Sequence, residues 1–150
     1  MTQNPPLLPM AQSKILFVGR LSPDTGYDVF LQLAKLLNSR AITVTNKQDT
    51  AKYFREAKFV FAAGFLTILE AAVHQKLIFA SYSNPIRRDY LVMHPLSNYM
   101  IIGQSSAQLA ERFLSHSPPQ IAKMVESAYF WAKDQTWQRL ANQYEQLWKI

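Results

Sequence analysis

Cysteine is absent from the 150-residue chain, which excludes disulfides, thiolate metal sites and a cysteine nucleophile. Histidine is scarce. His74, His94 and His116 have no metal-ligand spacing, and no metal is expected. Glycine is scarce too, with four residues. None of them builds a GxGxxG turn, a GxxxxGK[ST] loop or a GxSxG elbow, so the common dinucleotide, P-loop and hydrolase signatures are missing. No apolar run approaches the roughly 20 residues that span a bilayer. Residues 1–13, MTQNPPLLPMAQS, lack both the basic start and the apolar stretch of a signal peptide. They read as a flexible tail before a single domain over 14–150, and a cytoplasmic location is the expectation.

What is present suits one globular unit. Hydrophobic residues make up 49% and charged residues 17%. A domain of this length buries roughly 70% of its unfolded surface, enough for a real core. Sixteen basic groups against ten acidic ones give a net charge of +6, spread evenly over both halves of the chain. With no basic arm and no basic-aromatic interleaving, nucleic acid is not an expected partner. A diffuse excess suits an anionic small ligand or a weak membrane-surface contact.

The order of elements is more informative. KILFVG (14–19) reads as a buried strand that ends at Gly19. Val29, Phe30, Leu33 and Leu37 repeat at helical spacing, and Asn38 and Ser39 are stop signals. Ile42 to Thr45 reads as a second strand, and Asp49 can cap a short helix reaching about Ala57. FVFAA (59–63) is a third strand, followed by a GFLT turn and the helix ILEAAVHQ. LIFAS (77–81) and YMIIG (99–103) are the fourth and fifth strands, separated by a long irregular stretch. The last third reads as helical, with helices after Ser105, at Pro118-Pro119 and after Thr136. Alternating strands and helices with wholly apolar strands predict a mainly parallel α/β sheet of about five strands, covered on both faces. Ligands of such sheets bind beyond the carboxyl ends of the strands. Those ends are Gly19-Arg20, Asn46, Ala62–Gly64 and Ser81–Asn84.

Three features at these ends could carry chemistry. Gly19 permits close approach of a ligand to the backbone, and Arg20 offers planar donors for phosphate oxygens. Ala63-Gly64-Phe65-Leu66-Thr67 opens onto a helix whose free N–H groups suit phosphate. Glu70, in an otherwise apolar helix, either complements the helix dipole or accepts two hydroxyls of a ribose. Asn84-Pro85-Ile86-Arg87-Arg88 could meet an anion or lipid head groups, or could be a solvated helix start. His94 reads as structural.

ILFVGRLSPDTGYDVFLQLAKLL resembles the opening of the C-terminal, donor-binding domain of GT-B-fold glycosyltransferases of the large group-1/family-4 type. FVFAAGFLTILEAAVHQKLIFAS resembles their second signature, and Thr-Trp-x-x-Leu-Ala-x-x-Tyr (136–144) resembles their last helix. The resemblance implies a three-layer Rossmann-like sandwich that binds a nucleotide-diphosphate sugar as donor substrate, with no separate cofactor. It assigns Gly19 and Arg20 to the donor phosphates, backbone groups of Gly64, Phe65, Leu66 and Thr67 to the diphosphate, and Glu70 to the ribose.

Departures from that pattern are also specific. The family's phosphate-binding lysine falls at Thr25, and its sugar-contacting glutamate falls at Ala62. One strand-helix unit between Gly19 and Ala62 is missing, and the acceptor-binding N-terminal domain is not in the sequence. No residue stands out as a general base. The expectation is therefore a donor-binding domain that needs a separate acceptor-domain chain or a homo-oligomer, since one domain cannot exclude water from a reactive sugar. The alternative is a non-catalytic, degenerate relative that binds a nucleotide or another protein.

Overall fold

The computed structural model describes residues 13–21, 25–45 and 50–135. The strands are β1 (Lys14–Val18), β2 (Arg40–Val44), β3 (Phe59–Ala62), β4 (Leu77–Ser81) and β5 (Ile101–Gly103). The helices are α1 (Tyr27–Leu36), α2 (Ala51–Glu56), α3 (Phe65–Val73), α4 (Pro85–Val92), α5 (Ser106–Leu114) and α6 (Pro118–Ala132). The five strands form one parallel sheet in the order β2-β1-β3-β4-β5. Helices cover both faces, which makes a three-layer Rossmann-like α/β sandwich.

Side-chain alternation divides the interior into two cores. Ile15, Phe17, Phe59, Phe61, Leu77 and Phe79 point to one face, where α1 and α5 add Phe30, Leu33, Leu109 and Phe113. Leu16, Val60, Ala62, Ile78 and Ala80 point to the other, where they meet Phe54 of α2 and Ile68, Leu69, Ala71 and Ala72 of α3. Helix α6 serves both. Ile121, Met124 and Val125 pack beside the aromatic core, and Ala128 and Ala132 are buried in the α3 core.

Local signals explain most boundaries. Asn38 and Gln75 adopt left-handed conformations just past α1 and α3. At both places two backbone bonds close the helix end, from Ser39 to Ala34 and Asn38 to Lys35, and from Lys76 to Ala71 and Gln75 to Ala72. This is a Schellman closure, which satisfies carbonyls the helix leaves open. Ser117 and Gln120 form a reciprocal capping box at the start of α6, with prolines in its first turn.

Several boundaries differ from the sequence reading. Thr50 stands at the N-cap of α2; the expected cap, Asp49, lies outside the described residues. The stretch expected to be irregular after β4 contains α4, started by Asn84 and Pro85. Strand β5 begins two residues late, because Ser97–Tyr99 closes a 3-10 turn. The expected final helix, with Trp137, Leu140, Ala141, Tyr144 and Trp148, lies outside the described residues, as does most of the N-terminal tail.

Candidate functional site

The strand order reverses direction between β1 and β3. The chain runs outward from β1 to β2, then returns to place β3 on the other side of β1. In open α/β sheets such a switch point opens a crevice beyond the strand ends. Parallel register sets Val18 opposite Ala62, so the next residues, Gly19 and Ala63, come side by side. A Cβ at Gly19 would lie 4.0 Å from that of Ala63. Gly19-Arg20 and Ala63-Gly64 therefore meet at one place, with Arg20 exposed.

Helix α3 starts there, and no side chain caps it. The N-cap is Gly64, in extended backbone, and a Cβ at that position would have nothing within 4 Å. Space thus lies open at a helix start whose first N–H groups carry the positive end of the helix dipole. Arg87 extends its guanidinium from α4 to donate to the Ala63 carbonyl. Its own N–H is held by Asn84 Oδ1 at 2.8 Å. A half-buried cation therefore stands beside the open start of α3. Arg88, its neighbour, points elsewhere: it is exposed and 3.8 Å from Asp89.

The remaining expected residues divide. Leu66 and Glu70, one turn apart, line a groove of about 470 Å³ between α3 and the end of α6. Leu69, Val73, Tyr129 and Lys133 form other parts of its wall. Glu70 is half-exposed, and Thr50 reaches its Oε2 with a long 3.5 Å contact. Phe65 turns away from the groove and packs on the His94 ring, with centroids 4.6 Å apart. Thr67 is half-buried in the first turn of α3. Gly19, Arg20 and Gly64 are thus gathered at the switch point, and Leu66 and Glu70 occupy a neighbouring helix face.

The two departures from the expected signature have visible consequences. Thr25 is buried, and its Oγ1 donates to the Arg20 carbonyl at 3.0 Å, so this side chain closes the loop after β1. Gly26 follows at φ 81°, a conformation that favours glycine, and a Cβ there would come within 2.5 Å of Ser81 Oγ. Ala62 is the last residue of β3 and is fully enclosed. A carboxylate at this position would lose its hydration without a partner.

His94 is 4% exposed beneath Phe65 and near Trp131. Its Nδ1 accepts the Leu96 N–H at 3.0 Å, which places the ring proton on Nε2. Nε2 has no partner. Burial holds the imidazole pKa below its ordinary value, so the ring is neutral. It acts as an aromatic floor under the first residue of α3.

The sequence signals for Arg87 were the Asn84-Pro85 pair and its following arginines. These mark a helix start but not the reach back to β3. Tyr129 carried only the signal of an apolar helical stripe, and Lys133 none, since their place in the groove depends on α6 folding back against α3. No protein-family model and no curated protein matches the chain.

Proposed function

We propose that the chain is the donor-binding half of a GT-B-type glycosyltransferase, holding a nucleoside diphosphate sugar at the β1–β3 switch point. The observation that carries this reading is the uncapped start of α3, open at Gly64 and flanked by the Arg87 guanidinium. Two negative phosphates suit that combination of dipole and cation. Arg20 approaches from β1, and Glu70 lies one and a half turns into the same helix, half-exposed on the neighbouring α3–α6 groove. The strand order 2-1-3-4-5 is a common doubly wound order, and it supports ligand binding at the β1–β3 switch point without selecting a ligand class.

In this reading the residues act by charge. Arg20, Arg87 and the helix start stabilise the diphosphate as it departs from the sugar. An acceptor half, from a partner chain or a second copy, would close the cleft and exclude water. The test is titration of nucleoside diphosphates and inorganic pyrophosphate into wild type and Arg87→Ala. Both ligands should bind wild type and weaken together in the variant, because Arg87 would meet phosphate rather than base. Absence of binding by either ligand would contradict the proposal.

A second reading has its own observation. Thr25 and Ala62 stand where two donor contacts are expected, and both are buried. A nucleotide-binding or protein-binding subunit without catalysis fits those losses. Nucleotide binding without sugar transfer, in the presence of any acceptor half, would favour it.

A further inference from the structure

The two edges of the sheet are finished differently. At one edge, β5 has three residues. Its register with β4 turns Gly103 inward, and the Gly103 carbonyl accepts the Tyr82 N–H at 3.2 Å. Alternate residues of a parallel strand bond to opposite sides, so the backbone of Ile102 points outward. Arg112 of α5 donates to that outward carbonyl. A very short strand with a cation bonded to its free carbonyl is a protected edge.

The other edge has no such device. Strand β2 has five residues, RAITV, with no proline, no lysine and an unbroken register against β1. The Arg40 N–H donates to the Ser13 carbonyl at 2.9 Å, and the Val44 carbonyl accepts the Gly19 N–H at 3.2 Å. Arg40, Ile42 and Val44 therefore bond to β1, and Ala41 and Thr43 turn their N–H and C=O groups outward. Both residues are exposed. Among the described residues, no helix, turn or side chain bonds to these four groups.

We propose that β2 pairs with β2 of a second copy of the chain, antiparallel about a two-fold axis at Ile42, so that one sheet runs through the dimer. That axis sets Ile42 opposite the partner's Ile42, Ala41 opposite the partner's Thr43, and Arg40 opposite the partner's Val44. Ala41 and Thr43 are the outward-facing residues, so each such pair exchanges both of its main-chain hydrogen bonds. The symmetry-related pair repeats this, and all four outward groups of each copy are satisfied. The two Ile42 side chains meet in a close, non-hydrogen-bonded pair. Arg40, the one charged residue of the strand, meets an apolar residue, whereas parallel in-register pairing would set arginine against arginine. A two-fold interface needs this self-complementarity, and that selects a second copy over an unrelated strand. One strand pair buries less than the roughly 800 Å² per partner of a standard stable interface, so the dimer is concentration-dependent. This inference does not rest on the nucleotide-sugar reading, and it leaves the β1–β3 switch point one strand inside the joined edge.

The test is sedimentation equilibrium of the full chain over a concentration series, beside Thr43→Pro. Proline at this outward position removes the intermolecular donor and leaves the β1–β2 ladder in place. Wild type should move from monomer towards dimer mass as concentration rises. The variant should dissociate with a constant roughly tenfold higher, the scale of two lost main-chain hydrogen bonds. The cysteine-free sequence allows a second measurement that does not depend on proline being accommodated. Ile42→Cys should form an interchain disulfide in air, because the close pair on the axis has disulfide spacing. Thr43→Cys lies diagonal to its own copy and should cross-link several-fold more slowly. Where circular dichroism shows Thr43→Pro to be unfolded, the two cysteine rates decide. A monomer at every concentration would overturn the proposal. So would a dimer that folded Thr43→Pro leaves intact, or Ile42→Cys cross-linking no faster than Thr43→Cys.

Discussion

The two faces of the sheet are built from different materials. On the α1–α5 face the core is aromatic: Phe17, Phe30, Phe61, Phe59, Phe79 and Phe113 interlock through tilted and edge-on contacts, with centroids 5.3 to 6.1 Å apart. On the α3–α6 face, alanines take much of the contact. Ala62, Ala71, Ala72, Ala80, Ala128 and Ala132 are all buried there. Large rings fill space between helix and sheet, whereas small residues let helices approach closely. The candidate site lies on the small-residue side, where α3 begins and α6 folds back against it. One face supplies bulk and the other supplies placement.

Truncation on the aromatic side should have the largest effect. Phe79→Ala should cost about 3–5 kcal/mol of stability, because the ring touches both Phe59 and Phe113 and leaves a cavity that partners cannot fill. Urea unfolding followed by circular dichroism would measure it. Enlargement on the other side should matter more than truncation does. Ala72→Leu should cost about 1–3 kcal/mol by overpacking between α3 and the sheet. If leucine were accepted there without loss, the close approach of α3 would not depend on small residues.

Acid should act on the α3–α6 face through His94. The buried ring has its pKa lowered from an unfolded value near 6.5. The unfolded chain therefore takes up a proton more readily than the folded one. Stability from this group is complete above about pH 6.5 and falls as pH drops through and below that value. His94→Phe should flatten the decline in melting temperature between pH 7 and 5, and an unchanged slope would assign the acid response elsewhere. The smallest expected effect is a gain. Gln75 holds φ 60° after α3, where glycine carries no steric penalty. Gln75→Gly should stabilise by up to about 1 kcal/mol, measured by thermal melting.

How much of this was legible follows from where the information resides. The strands were plain because four of the five are short, largely buried runs, and FVFA and LIFA have no polar face at all. Parallel packing follows from that. The C-terminal end of α1 was written in Asn38 and Ser39. Helix α4 was obscured because it buries only Leu91 and its other apolar residues, Ile86, Tyr90 and Met93, are exposed, although its Asn84-Pro85 start is explicit. The candidate site was legible as positions along the chain, since strand ends are local. Its shape was not. Whether Glu70 faces a groove depends on α6, more than forty residues onward, and the Arg87 contact with Ala63 joins two successive crossovers.

In the proposed nucleotide-sugar reading, α3 presents its start to phosphate and its second turn to a ribose. Isothermal titration of Glu70→Ala with a panel of nucleoside diphosphates, beside inorganic pyrophosphate, tests it most directly. At least one nucleoside diphosphate should bind wild type and lose about 1.5–3 kcal/mol in the variant, the scale of hydrogen bonds to a charged group. Pyrophosphate should bind both proteins alike. Equal losses for the two ligands, or no loss for either, would make Glu70 a structural carboxylate and contradict the account.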